Sequence, residues 1–167
     1  MTAPSNSFLH ATAIALAIDA DGPLAGILIM GPSGSGKSSL ALSATEGCPF
    51  RRTALVADDS VIVEPHAGGA VASAPVLLNG LIEVRGHGPA PIRSRPAIPL
   101  LLAIDLDGTH ERVGEPCALA LADGLSLPMV PFLWAGAEAT GAHRLRVIVR
   151  QVLCGQNAPN SQDSGKN

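Results

Sequence analysis

Apolar residues along this chain come in short runs separated by small polar and turn-forming residues, a pattern of buried strands with few helices. Residues 8–18 read as a strand, Asp21-Gly22 as a turn, and 25–30 as the returning strand of a hairpin. From Lys37 to about Glu46, Leu40, Ala41 and Ala44 share a helical face, Gly47 is the stop signal and Pro49 confirms the break. Residues 53–57 read as a buried strand ending in Asp58-Asp59; 60–64 and 70–74 form a second hairpin around a turn at 65–69. Residues 75–80 are a short helix or a connection. The stretch 81–95 is predicted to start as strand and become loop, because two glycines and two prolines in six residues work against a ladder.

Further on, 98–106 is a continuous apolar strand, 107–116 a polar loop, 118–122 a segment that pairs with the sheet, and 125–133, with Pro128 and Pro131, an extended edge. A last helix is predicted from 135 to about 153, with Leu145, Ile148, Val149 and Val152 inward and Arg144, Arg146 and Arg150 outward. Residues 1–7 read as a flexible N-terminus and 155–167 as a disordered tail, leaving 8–154 as one domain. The expected class is α/β, a mixed β-sheet with flanking helices.

Composition narrows this picture. The 167 residues are 47% hydrophobic and only 2% aromatic, so the core must be built from Ala, Val, Leu and Ile in close packing. A net charge of −3 with scattered arginines leaves no basic footprint for nucleic acid or an acidic membrane surface. No run reaches membrane-spanning length, and 11–18 lacks the basic flank of a signal peptide. Three cysteines without C-x-x-C spacing read as reduced thiols, and the expected location is cytoplasmic.

The chemistry centres on Gly31-Pro32-Ser33-Gly34-Ser35-Gly36-Lys37-Ser38, which fits G-x-x-x-x-G-K-[ST] at every fixed position and lies between a predicted strand and a predicted helix. Such a loop turns successive backbone N–H groups inward to cradle polyphosphate oxygens at a helix N-terminus. Lys37 would supply a cation and Ser38 a hydroxyl for magnesium, so ATP and Mg2+ are the expected ligands. The chain has two lysines, Lys37 and Lys166, so the only lysine of the predicted domain sits in this loop. Asp58 and Asp59, about twenty residues later at a strand end, are candidates to hold water on the metal or take a proton from an acceptor. That placement assumes a strand adjacent to the loop strand.

Leu9-His10-Ala11, the loop, Leu55-Val56-Ala57-Asp58-Asp59 and Ile82-Glu83-Val84-Arg85-Gly86-His87-Gly88, in this order, resemble the C-terminal catalytic domain of HPr kinase/phosphorylase, in its short alphaproteobacterial form. The resemblance implies a P-loop kinase core similar to the nucleotide-binding fold of phosphoenolpyruvate carboxykinase. It implies a protein-serine kinase that phosphorylates the phosphocarrier HPr, often with phosphorolytic removal of that phosphate, working as a hexamer. By the same resemblance Lys37 contacts the β- and γ-phosphates, Ser38 and Glu83 position magnesium with Asp59 beside them, and Asp58 is the base. His10 would stand near Asp58 and orient it. Glu111-Arg112-Val113-Gly114 resembles an acidic-Arg-x-Gly element that makes Arg112 a phosphate-stabilising arginine.

The chain departs from that family at several places. Pro32 and Ser39 replace acidic residues, and the stretch after Gly86 is shortened and proline-rich. Val130-Pro131-Phe132-Leu133-Trp134 occupies the place of a basic, Gly-rich segment linked in the family to dephosphorylation. Two other functions fit the same loop: a P-loop small-molecule kinase, against which stands the absence of Lys and Arg from Ser60 through Val84, and a non-catalytic nucleotide-sensing regulatory module.

Overall fold

The computed structural model describes residues 7–107 and 117–156. The predicted element at 111–114 with Arg112, and most of the loop 107–116, lie outside the described residues. Among the described residues a nine-stranded mixed sheet forms the body, and two α-helices pack on one of its faces.

The strand predicted over 8–18 is two strands. β1 (Ser7–Leu9) pairs with β5 (Val61–His66), whereas β2 (Thr12–Leu16) runs between β3 (Ala25–Met30) and β4 (Ala54–Ala57). The chain bends at His10-Ala11, passing from one half of the sheet to the other. Both predicted hairpins form, β2 with β3 and β5 with β6 (Gly69–Ser73). In the sequence order of the β2–β3 connection, Asp19 Oδ1 accepts from the N–H groups of Asp21, at 3.1 Å, and of Gly22.

Leu81–Val84 (β7) and Gly88–Pro91 (β8) form a separate antiparallel ribbon, where sequence reading places a loop after the first strand. The reason is alternation. Ile92 N donates to Gly80 O at 3.0 Å, so by the two-residue period Gly88 and Ala90 turn their N–H groups toward β7. Pro89 and Pro91 then have their nitrogens on the outer side, where no ladder bond is lost.

β9 (Ala97–Asp105) is shared by both halves of the sheet. On one side it runs parallel to β3; on the other its first residues pair antiparallel with β6 and its last residues parallel with β11 (Ser126–Pro131). β10 (Cys117–Ala120) pairs on β11, so β11 is an inner strand and the edge predicted for it belongs to β10. Period-2 alternation sorts the central strands: Ile14, Leu16, Ile27, Ile29, Leu102 and Ile104 face the helices, while Ala13, Ala15, Leu28 and Ala103 face the curled β5–β6 side.

α1 (Lys37–Glu46) has the predicted bounds, and Leu40, Ala41 and Ala44 are its fully buried face. α2 (Glu138–Gln156) starts three residues later than predicted, after a turn in which Gly136 takes φ 77°, and extends past the expected end. Leu145 and Val149 are buried as expected. Arg146, predicted outward, is instead 5% exposed. Its Nη2 donates to the carbonyls of Ala44 at 3.1 Å and Gly47 at 3.4 Å. α1 carries no basic residue in its own last turn, so α2 supplies the cation that its C-terminal carbonyls attract.

Cys48 follows directly and is buried. Burial pushes its thiol up, but hydrogen bonds from the Thr53 hydroxyl and the N–H groups of Thr53, Arg52 and Phe50 outweigh it and bring the pKa from 9.0 down to about 6. Thr53 Oγ1 accepts from Ala17 N at 3.1 Å, which leaves its proton for the sulfur.

Arg146→Met, which keeps the apolar stem, is expected to lower unfolding stability by about 2 kcal/mol, the worth of charged hydrogen bonds. The exposed neighbour Arg150→Met should lose less than about 0.5 kcal/mol. Equal urea midpoints for the two variants would refute the assignment. For Cys48 the folded pKa lies below the unfolded one, so the folded state binds fewer protons between them and stability rises with pH. That gain is complete above pH 9 and is lost as pH falls through about 6. Cys48→Ala should therefore flatten the rise in urea midpoint across this window; parallel profiles for the two proteins would exclude an ionised thiol.

Candidate active site

The phosphate-loop pattern folds as the turn between β3 and α1. Gly31, Gly34 and Gly36 take φ of 145°, 82° and 100°, a region that side-chain-bearing residues rarely enter. Ser35 N donates to Pro32 O at 3.1 Å and closes the loop. Gly36 caps α1 without a side-chain bond, and the first turn contains no acidic residue, so no side chain of that turn competes for the N-terminal N–H groups. Ser35 Oγ is buried in the loop without a hydrogen-bond partner among the described residues.

Lys37, 6% exposed, donates from Nζ to the carbonyls of Gly31 at 2.9 Å and Pro32 at 3.0 Å, and lies 3.3 Å from His10 Nε2. An ammonium has donors only, so Nε2 accepts in this contact and Nδ1–H is left to donate. Nδ1 is 3.2 Å from Asp59 O and 3.1 Å from Asp59 Oδ1. His10 thus joins Lys37 to Asp59, and the contact with Asp58 expected of it is not made.

Asp58 is 7% exposed and is held by three donors. Its Oδ1 accepts from the hydroxyls of Thr12 and Ser38, each at 2.8 Å, and its Oδ2 from Glu83 N at 2.9 Å. The strand that carries Asp58 is not beside the loop strand, since β2 lies between β4 and β3. Ser38 from the first turn of α1 and Thr12 from β2 bridge that gap. Asp59, next along, takes φ 64°, tolerated better by Asp than by most residues, and turns outward.

A cleft of about 470 Å³ opens over the loop, with Ser33, Gly34, Lys37, Ser38, Asp58 and Asp59 on one wall. The facing wall comes from the β7–β8 ribbon and the 3-10 turn before it: Leu78, Leu81, Ile82, Glu83, Arg85 and Pro89. The Glu83 side chain is exposed here, and its link to Asp58 runs through the backbone N–H. His10 acts on the cleft only through Lys37 and Asp59. Two residues of the site were missed by sequence reading. Thr12 is the one polar residue among 11–18 and is fully buried, and a buried hydroxyl in an apolar strand needs a partner. Trp134, read from sequence only as part of the 130–134 departure from the family, packs behind the loop against Gly36.

Loop, cleft and strand order define a phosphate-loop α/β core. No protein-family model matches the chain. Over 64 residues, 38% of this chain, it is 47% identical to HPr kinase/phosphorylase of Brevibacillus brevis, and over 70 residues, 41% of this chain, 46% identical to that of Bordetella pertussis. These stretches span 19% and 21% of the relatives' lengths. The Hpr(Ser) kinase/phosphatase from Coxiella burnetii has the same fold, with a TM-score of 0.74 over 90% of this chain and 92% of that one at 19% identity. Over these stretches the chain is similar to HPr kinase/phosphorylases, and it has the fold of the Coxiella protein.

Thr12→Val keeps the shape of the side chain but removes a donor to the buried Asp58 carboxylate. The expected cost is about 2 kcal/mol of unfolding stability, with Thr12→Ser recovering much of it. Unchanged denaturation of Thr12→Val would show that Ser38 and Glu83 suffice.

Proposed function

We propose that this chain is the catalytic core of an ATP-dependent protein-serine kinase acting on an HPr-type phosphocarrier protein. The observation that carries the reading is the Ser38–Asp58 hydrogen bond, which brings a buried carboxylate to the mouth of a phosphate loop. Support also comes from the relatives' names and from the Coxiella fold. Lys37 would exchange the carbonyls of Gly31 and Pro32 for β- and γ-phosphate oxygens, and the N–H groups of the loop would hold the rest of the triphosphate. Ser38, Asp59 and Glu83 offer a hydroxyl and two carboxylates on one cleft, a set of hard oxygen donors that suits Mg2+. When bound, the ion would offset charge on the transferred phosphoryl group.

Asp58 would accept the proton of the serine hydroxyl. Oδ1 holds two donors and Oδ2 only one, so one lone pair of Oδ2 is open to an acceptor. Arg85, and Arg112 by resemblance, would stabilise charge on the phosphoryl oxygens. In phosphorolysis Asp58 would return the proton. An acceptor of protein size is favoured by the rim of the cleft, where Val76, Leu77 and Leu78 are 92%, 89% and 43% exposed. By the family resemblance the working form would be a homo-oligomer, a hexamer.

A second assignment of the two carboxylates follows from the same geometry. The Ser38–Asp58 bond suits a carboxylate that holds water on the metal, and the His10–Asp59 pair suits a base. Kinetics separate them. In the main reading Asp58→Asn lowers kcat by about 10²- to 10⁴-fold with little change in KM for ATP. If Asp58→Asn instead raises the Mg2+ requirement while Asp59→Asn removes kcat, the roles are exchanged.

Incubation with Mg-ATP and a purified HPr-type protein should produce a phosphoserine mass increase, abolished by Lys37→Ala. ATP binding without transfer would leave the regulatory module, and transfer to a metabolite the small-molecule kinase.

A further inference from the structure

Gly36, which closes the phosphate loop and opens α1, has no room for a side chain. A Cβ there would lie 2.1 Å from Nε1 and 2.4 Å from Cδ1 of Trp134. The six-membered ring of the same indole meets α2, where a Cβ at Gly141 would lie 2.3 Å from Cζ3 and 2.7 Å from Cε3. Trp134 is 7% exposed, so it fills a slot that two glycines leave open, one in the loop and one in the helix.

The turn that carries Trp134 is fastened at both ends. Phe132 N donates to Asp105 O at 2.8 Å, which ties it to the end of β9. Ala137 N donates to Trp134 O at 2.9 Å, and Gly136 N to Glu138 Oε1 at 2.9 Å. From α2, the Arg144 guanidinium stacks 4.9 Å from the centroid of Phe132, and its Nη2 donates to the carbonyls of Leu133 and Ala137.

A loop that binds phosphate through its backbone depends on where those N–H groups are held, and glycines in left-handed conformations hold nothing by themselves. We infer that Trp134 is a positioning residue of the phosphate loop, coupling Gly36 and the first turn of α1 to α2, and that its indole senses occupancy of the loop. The inference rests on the reading of that loop as a nucleotide site. The segment 130–134 then has a structural task in place of the basic chemistry found there in the family.

The chain contains one tryptophan and no tyrosine, so its indole emission has a single source. The full chain is titrated with Mg-ADP, following heat by calorimetry and emission in parallel. Emission should change and saturate at the calorimetric Kd. Trp134→Ala should lower kcat/KM for ATP by about tenfold to a hundredfold, through KM as well as kcat, and Trp134→Phe should recover most of the loss. If calorimetry detects binding while wild-type emission stays flat, the inference is overturned, and this holds even if Trp134→Ala fails to fold. A folded Trp134→Ala with wild-type affinity and kcat/KM overturns it as well. No heat from wild type would instead overturn the nucleotide reading and this inference with it.

Discussion

Taking a carboxylate out of water costs several kcal/mol unless donors replace the lost solvent, and Asp58 meets that demand with groups from three separate segments. Thr12 comes from β2, Ser38 from α1 and the Glu83 N–H from the β7–β8 ribbon. None can drift without leaving the charge short of a partner. The loop, the strand end and the facing wall of the cleft are therefore held in one frame by a single side chain, while Asp59 beside it turns outward to His10 and the cleft.

The sheet behind this frame is arranged so that the loop does not sit at its margin. β3 is flanked by β2 and β9, and β9 in turn pairs with β6 and β11 along different parts of its length. Mostly large aliphatic side chains of the central strands point toward the helices, while alanines together with Leu28 point toward the curled side. With α1 and α2 covering the other face, the phosphate loop rests between a rigid strand and a helix whose two ends are held by α2, through Trp134 at the start and Arg146 at the finish.

Local chemistry was legible where one residue type decides the outcome. The glycines and lysine of the loop, the bounds of α1 and both hairpins follow from turn residues and spacing. What was not legible depends on partners distant in sequence. A mostly apolar run hides the bend at His10, because β1 and β2 pair with different neighbours. Arg146 looks like a solvated helix residue until the carbonyls at the end of α1 are brought beside it. Asp58 reaches the loop across an intervening strand, a distance no spacing records. Its pairing with Thr12 needed the fold, as did the exchange of His10 from Asp58 to Asp59.

The placement of Pro89 and Pro91 limits how anything can approach the cleft. The outer side of β8 presents carbonyls at these positions but no N–H donors, which works against an extended peptide adding along β8 as a further strand. A partner engaging this edge has to bring its own folded shape, such as a helix end or a tight turn, in place of a lent strand. The ribbon thereby sorts whatever approaches this edge by its conformation before its side chains are read.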